Sequence, residues 1–173
     1  VDPNHPDLSD HLWTNLGEVP GNSIDDDGNG HVDDTWGWDF CDNDNYPFAG
    51  NHGTQAAGQV AGDGTNGVVT GMAPDAELMV LGFGTGCYVS DAMGWAASDY
   101  AIAMGAHIIT ESYIWPWTGD TPDFEGWRRQ MDTELAAGII HAAAAGNDGD
   151  NPIPAIPYNV STPANCPPPW IYP

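Results

Sequence analysis

Three groups of residues in this chain have types and spacings that can do chemistry. His52 sits in Asn51-His52-Gly53-Thr54, and an imidazole titrates near neutrality, so it can take a proton from a hydroxyl and return it later. Asn147 follows the small-residue run Ala142-Ala143-Ala144-Ala145-Gly146, and its amide can aim an N–H at an oxygen on which negative charge develops. Asp25, Asp27, Asn29 and Gly30 fit D-x-D-x-N-G, the first half of a loop that offers oxygen ligands to a hard cation from alternate residues. His31 can add a backbone carbonyl, and Asp33 or Asp34 can close the shell. The glutamate that would end an EF-hand loop is absent, because Trp36 stands there. Each group also has a plain structural reading: a histidine before Gly-Thr can be a packing residue, Gly-Asn a turn, and an acidic run a solvated face.

The charge balance narrows the partners. Twenty-five acids face two bases, Arg128 and Arg129, with no lysine, for a formal net charge of −23. Such a surface repels nucleic-acid backbones and anionic membranes, so neither is expected as a partner. What remains is a salt-tolerant extracellular surface, or locally a carboxylate cluster that binds calcium. No apolar run approaches the ~18 residues needed to cross a bilayer. Cys41, Cys87 and Cys166 are widely spaced with no CxxC pair. They read as buried or free thiols rather than a metal site; one disulfide with a cysteine left over stays open, and the spacing does not pick the pair.

The elements that must position these groups follow from periodicity. Residues 1–173 read as one partial domain: an N-terminal loop region over 1–50, an α/β core over 51–150, and a proline-rich irregular tail over 151–173. The acidic loop must be ordered, since its two tryptophans and phenylalanine need something to pack against. Asn51 to Gly62 suits a closely packed helix beginning near His52 to Thr54. Glu77 to Phe83 reads as a buried strand, and Ser90 caps a helix with Met93, Ala96, Ala97, Tyr100, Ala101 and Met104 at helical spacing, ended by Gly105. His107 to Glu111 is the next strand. Thr121-Pro122 opens a helix running to about Ala137, and Ile139 to Ala145 is a further strand closed by Gly146-Asn147. His5, His11, His107 and His141 show no ligand spacing and read as structural, with His107 and His141 on strands where a ring is buried. Alternating strands and helices predict right-handed crossovers and an α/β, mostly parallel sheet.

Four segments in order carry a resemblance to the subtilisin-like serine protease family. Val1 to Leu8 (VDPNHPDL) resembles the stretch directly after that family's Asp-Thr-Gly motif, and Asn51 to Gly58 (NHGTQAAG) resembles the motif around its triad histidine. Gly71 to Leu81 (GMAPDAELMVL) resembles the segment entering a central strand, and Ala142 to Gly149 (AAAAGNDG) the motif of the oxyanion asparagine. Asn51 stands for a glycine and Gln55 for a second histidine, which are departures from the pattern.

The resemblance implies a three-layer α/β fold, a mostly parallel sheet with helices on both faces, incomplete at both ends. It implies peptide-bond hydrolysis by a Ser-His-Asp triad in a secreted endopeptidase, with His52 as general base and Asn147 as oxyanion donor facing one cleft. It implies that a polypeptide substrate lies as an added strand between Gly84-Thr85-Gly86 and Ser112-Tyr113-Ile114, where Ile114-Trp115 replaces the family's glycines. The family's Gly-Thr-Ser-Met-Ala motif does not occur in these residues, and the triad aspartate would precede Val1. The 173-residue chain is therefore expected to be inactive alone. The acidic loop (Asp25, Asp27, Asn29, His31, Asp33, Asp34) resembles a structural calcium insert found in some relatives. The alternative is a non-catalytic calcium-binding domain on the same scaffold. Asn159-Val160-Ser161 matches a glycosylation sequon. Oligomeric state is not readable.

Overall fold

The computed structural model describes residues 1–48, 50–65, 70–84, 87–113, 124–147 and 163–164. The chain forms two compact units, Val1–Met93 and Gly94–Pro173.

In the first unit a 3-10 turn, Ser9–His11, precedes β1 (Gly37–Asp39), α1 (Asn51–Ala61) and β2 (Val80–Gly82). β1 and β2 pair in parallel, Gly37 with Val80 and Asp39 with Gly82, and Leu12 adds a parallel bridge to Leu78. β2 lies inside the apolar run expected as a strand. β1 was hidden, because it is three residues in an aspartate-rich stretch with no alternation to find. Gly37 is required there: its φ is 129°, and a Cβ would stand 1.9 Å from the Val80 carbonyl oxygen.

α1 starts at Gly50, at a φ of 82°, without a side-chain cap. Its far end is closed by the chain itself. The amides of Met72 and Ala73 donate to the Gln59 and Val60 carbonyls at 3.0 and 2.7 Å, and Gly62 N–H returns to Gly58. Gly71 makes this approach possible, since a Cβ there would meet the Val60 backbone at 2.6 Å. Cys41 and Cys87 form a disulfide with Cα atoms 6.0 Å apart, so neither is a free thiol. The fold pairs them by holding Cys41, just after β1, against the loop that leaves β2, where a Cβ on Gly84 would stand 3.1 Å from its sulfur. Cys166 and the sequon at Asn159 lie outside the described residues.

The second unit contains α2 (Asp91–Ala103, beginning at the unit boundary), β3 (Ile108–Glu111), α3 (Phe124–Ala136) and β4 (Ile140–Ala143). β3 and β4 pair in parallel, Ile108 with Ile140 and Glu111 with Ala143, as right-handed strand–helix–strand logic requires. The helices and strands fall where the periodicity predicts them; Thr121-Pro122, the expected start of α3, lies outside the described residues. Trp127, fully buried, and Met131 form the core, with Trp95 and Phe124 packed against them. The Trp95 and Trp127 rings meet edge to face at 6.1 Å. Removing such a buried indole costs about 3–5 kcal/mol. The strands alternate, with Glu111, His141 and Ala143 inward and Ile108 and Ile140 on an exposed face. His107 is exposed, against the expectation of burial, because it precedes β3 instead of lying within it. Among the described residues no helix is long and apolar enough to cross a membrane.

Candidate active site

His52 is the second residue of α1 and is exposed. The first turn of α1, which carries it, meets the chain's first residues. Asp2 N–H donates to Thr54 Oγ1 at 2.8 Å, and the Val1 nitrogen lies 3.3 Å from where a Gly53 Cβ would be. Gly53 thus lets the segment that begins VDPNHPDL run close against the turn that carries His52. Gln55 lines an open groove with Asp7, Gly58 and Gln59.

Of the substrate-edge residues in this unit, Gly84 is described, and Thr85 and Gly86 lie outside the described residues. Gly84 has a φ of 51° and donates its N–H to Asp39 Oδ2 at 2.9 Å. Asp39, almost fully buried, also accepts from the Cys41 and Asp42 amides at 2.8 and 2.9 Å. One carboxylate therefore ties the end of β1 to the loop after β2. Asp39, Cys41 and Asp42 lie close together, but the sulfur of Cys41 is committed to its disulfide and is no thiolate ligand.

The acidic loop sorts its carboxylates into two kinds. Asp25 and Asp33 serve the backbone. Asp25 accepts the Gly28, Asn29 and Gly30 amides at 2.7–3.0 Å, and Asp33 accepts those of Gly21, Asn22 and Ser23 at 2.7–3.1 Å. Asp26 accepts the Val19 amide and the Asn22 side chain, while three others converge. Oxygens of Glu18, Asp27 and Asp34 all lie within 4.8 Å of one another, with Glu18 and Asp34 buried. The Asn15 amide bridges Asp27 and Asp34 at 2.9 and 2.8 Å, and the Asn29 amide reaches Asp34 at 2.8 Å. The cluster thus takes Asp27, Asn29 and Asp34 from the sequence motif and adds Glu18 and Asn15. No spacing signal pointed to those two; chain folding delivers them. The His31 ring packs on Trp38 at 4.6 Å and Phe40 at 5.9 Å. An all-oxygen set of three carboxylates fits a hard cation such as calcium.

In the second unit Asn147 is exposed beyond β4, and Gly146 before it has a φ of 90°, the sharp turn expected from Gly-Asn. Ser112 is exposed just after β3, Tyr113 is half-buried, and Ile114 and Trp115 lie outside the described residues. Sequence reasoning passed over what stands behind these positions. His141 lies between two buried carboxylates, with Nδ1 2.8 Å from Glu134 Oε2 and Nε2 3.3 Å from Glu111 Oε2. Burial alone would lower the imidazolium pKa; the hydrogen bonds and charges of Glu111 and Glu134 outweigh it and raise it to about 9. Elsewhere, hydrogen bonds from Thr65 hold the Asp63 carboxyl below the usual range.

Set beside known proteins, the chain matches the Subtilase family over residues 1–171. Subtilisin-like protease 1 of Plasmodium falciparum (isolate 3D7) is 35% identical over 123 residues, 65% of this chain and 17% of that protein. The Major intracellular serine protease of Bacillus subtilis (strain 168) is 27% identical over 151 residues, 86% of this chain and 40% of that protein. The Minor extracellular protease Vpr of the same strain is 29% identical over 166 residues, 87% of this chain and 17% of that protein. A crystal structure of the epidermin leader peptide processing serine protease from Staphylococcus aureus aligns with a TM-score of 0.56 at 23% identity, covering 85% of this chain and 35% of that one. That likeness shows a shared α/β fold. This chain spans less than half the length of each of these relatives. With the family pattern running from Val1 to Ile171, the chain belongs to the subtilase family.

Proposed function

We propose that this chain is the central part of a serine endopeptidase catalytic domain, in which His52 is the general base and Asn147 the oxyanion donor. The observation that carries the reading is the contact of Val1 and Asp2 with the first turn of α1, through Thr54 Oγ1 and beside Gly53. In the family pattern the triad aspartate comes three residues before the position of Val1. A chain extended upstream would run along the turn that holds His52, where a carboxylate can fix the imidazole tautomer. The nucleophilic serine would come from sequence after these residues. His52 and Asn147 would serve the same reaction in the assembled domain, for which the family resemblance implies a mostly parallel, three-layer sheet. Gly84-Thr85-Gly86 and Ser112-Tyr113-Ile114 would each hold a polypeptide substrate by strand addition.

Calcium is the cation we assign to the acidic loop. Glu18, Asp27 and Asp34 would hold it, and the ion would offset their mutual repulsion and stiffen the chain that leads to β1. Its role is structural and no catalytic step passes through it. A secreted setting agrees with the charge of −23 and the Cys41–Cys87 disulfide. Relatives with extracellular and with intracellular names make location a point to measure.

Labelling of the full-length protein by a fluorophosphonate probe tests the reading. Labelling of a serine, abolished by His52→Ala, is the expected result. A folded, calcium-responsive full-length protein that takes no label would replace it with the non-catalytic calcium-binding domain.

A further inference from the structure

We propose that Glu111, His141 and Glu134 form a buried positioning cluster that locks the carboxyl ends of β3 and β4, and with them Ser112-Tyr113 and Asn147, in the geometry peptide cleavage needs. The proposal rests on the endopeptidase reading. It starts from a line of hydrogen bonds and one ion pair that runs from α3 and α2 to the end of β3. Gln130 of α3 donates to Ser98 Oγ of α2 at 2.8 Å and to Asp99 at 3.0 Å. Ser98 bonds Glu134, Glu134 bonds His141 Nδ1 at 2.8 Å, and His141 Nε2 lies 3.3 Å from Glu111. Tyr113 Oη then donates to Glu111 Oε1 at 2.6 Å. Glu111, Glu134 and His141 are 7, 1 and 5% exposed.

Such a cluster is a poor way to stabilise a core. Taking three ionisable groups out of water is costly, and apolar residues of the same volume often hold a fold as well or better. What ionic contacts supply is direction. Glu111 is the last residue of β3, its carbonyl accepts the Ala144 amide at 3.0 Å just beyond β4, and its side chain holds the first ring after the strand. His141 lies diagonally across on the neighbouring strand, on the same face, and Glu134 anchors it to α3. The strand ends are thereby fixed from both sides where the proposed substrate residues begin.

The cluster also sets a pH limit. The charged and titratable groups that face His141 among the described residues are Glu111 and Tyr113 from the β3 side and Glu134 from α3, with α2 reaching it through Ser98 and, by way of Gln130, Asp99. The imidazolium matches two carboxylates. When it loses its proton near pH 9, the two carboxylates face a neutral ring and the lock loosens.

The test is kcat/KM for a peptide substrate from pH 6 to 10.5, in the full-length protein and its His141→Gln and Tyr113→Phe variants. Wild type should show an upper limb near pH 9. His141→Gln should lower kcat/KM about tenfold at pH 7, mainly in kcat, and abolish that limb. Tyr113→Phe removes one donor from Glu111, leaves more negative charge facing the ring, and should move the limb to higher pH. It keeps the ring's volume, so it decides the matter even if His141→Gln does not fold. A wild type that cleaves peptides with no limb near 9, or variants that keep wild-type profiles, would overturn the positioning role alone. A folded wild type that neither cleaves peptide nor takes a fluorophosphonate would overturn the endopeptidase reading and this role together.

Discussion

The acidic loop and the β3–β4 cluster both gather carboxylates in a chain with almost no basic side chains, and they neutralise them in opposite ways. In the loop, Asp25 and Asp33 each collect three backbone amides, and Glu18 collects the amides of Asp26, Asp27 and Asp33. The donors are N–H dipoles from the same short stretch of chain, several of them exposed or half-buried. In the cluster the donors are side chains from distant parts of the sequence, and among the described residues a single histidine carries the positive charge that meets Glu111 and Glu134. Lysine and arginine would do this work in most proteins. Here the two arginines sit exposed on α3, and Arg129 makes an exposed pair with Glu125 at 3.5 Å. The contrast predicts that the loop degrades gradually when perturbed and the cluster fails as a unit.

The largest effect should come from deleting the cluster's cation. His141→Ala leaves Glu111 and Glu134 buried with no countercharge, and should cost about 3–5 kcal/mol in chemical denaturation of the full-length protein. A loss below about 1 kcal/mol would put the cluster in the same class as an exposed ion pair.

Second is pH. The pKa of His141 is raised above its unfolded value of 6.5 to about 9, so its contribution is fully present below pH 6.5 and disappears as pH rises through 9. The size is on the order of 3 kcal/mol. Stability measured from pH 6 to 10 should fall across that window, and the fall should vanish in a variant with apolar residues at positions 111, 134 and 141. Loop substitutions should leave it unchanged.

Third is the cation. Moving from calcium at about 100 times its Kd to excess chelator should lower stability by about 2.7 kcal/mol. Glu18→Gln should abolish that response, while His141→Ala should not. A melting temperature indifferent to chelator would leave the loop held by amides alone.

Residue spacing disclosed the loop better than the cluster, and the reason is range. Asp25, Asp27, Asn29 and Asp34 lie within ten positions of one another, so alternate-residue geometry could be read directly. Glu18 and Asn15 enter by a fold-back that leaves no local pattern. The helices and inner strands were legible because apolar period follows burial, which is how β3, α3 and β4 were placed. β1 was not, since Gly37, Trp38 and Asp39 are all buried and so show no alternation. His141 was read as structural, and its burial is real. That it joins Glu111, thirty positions earlier, needed the strand pairing of Ile109 with His141, which no single-sequence pattern encodes.

The smallest effect tests whether repulsion matters where amides do the neutralising. Asp33 is a non-glycine residue at a φ of 55°, a conformation that Asn tolerates nearly as well, so Asp33→Asn tests chemistry without adding strain. Its Oδ1 can still accept from Gly21 and Asn22, but the Nδ2 that replaces Oδ2 would point a donor at the Ser23 amide. Losing that bond should cost about 1–2 kcal/mol. Removing one negative charge from a crowded loop opposes the loss, and salt screens that relief within about 10 Å at 0.1 M. The net destabilisation should therefore be smaller at low ionic strength than at 0.5 M. If urea midpoints for Asp33→Asn shift by the same amount at both salt levels, the loop's carboxylates do not feel one another. Backbone amides would then be sufficient neutralisation in the loop, and the histidine-centred arrangement of the second unit would answer burial instead of charge density.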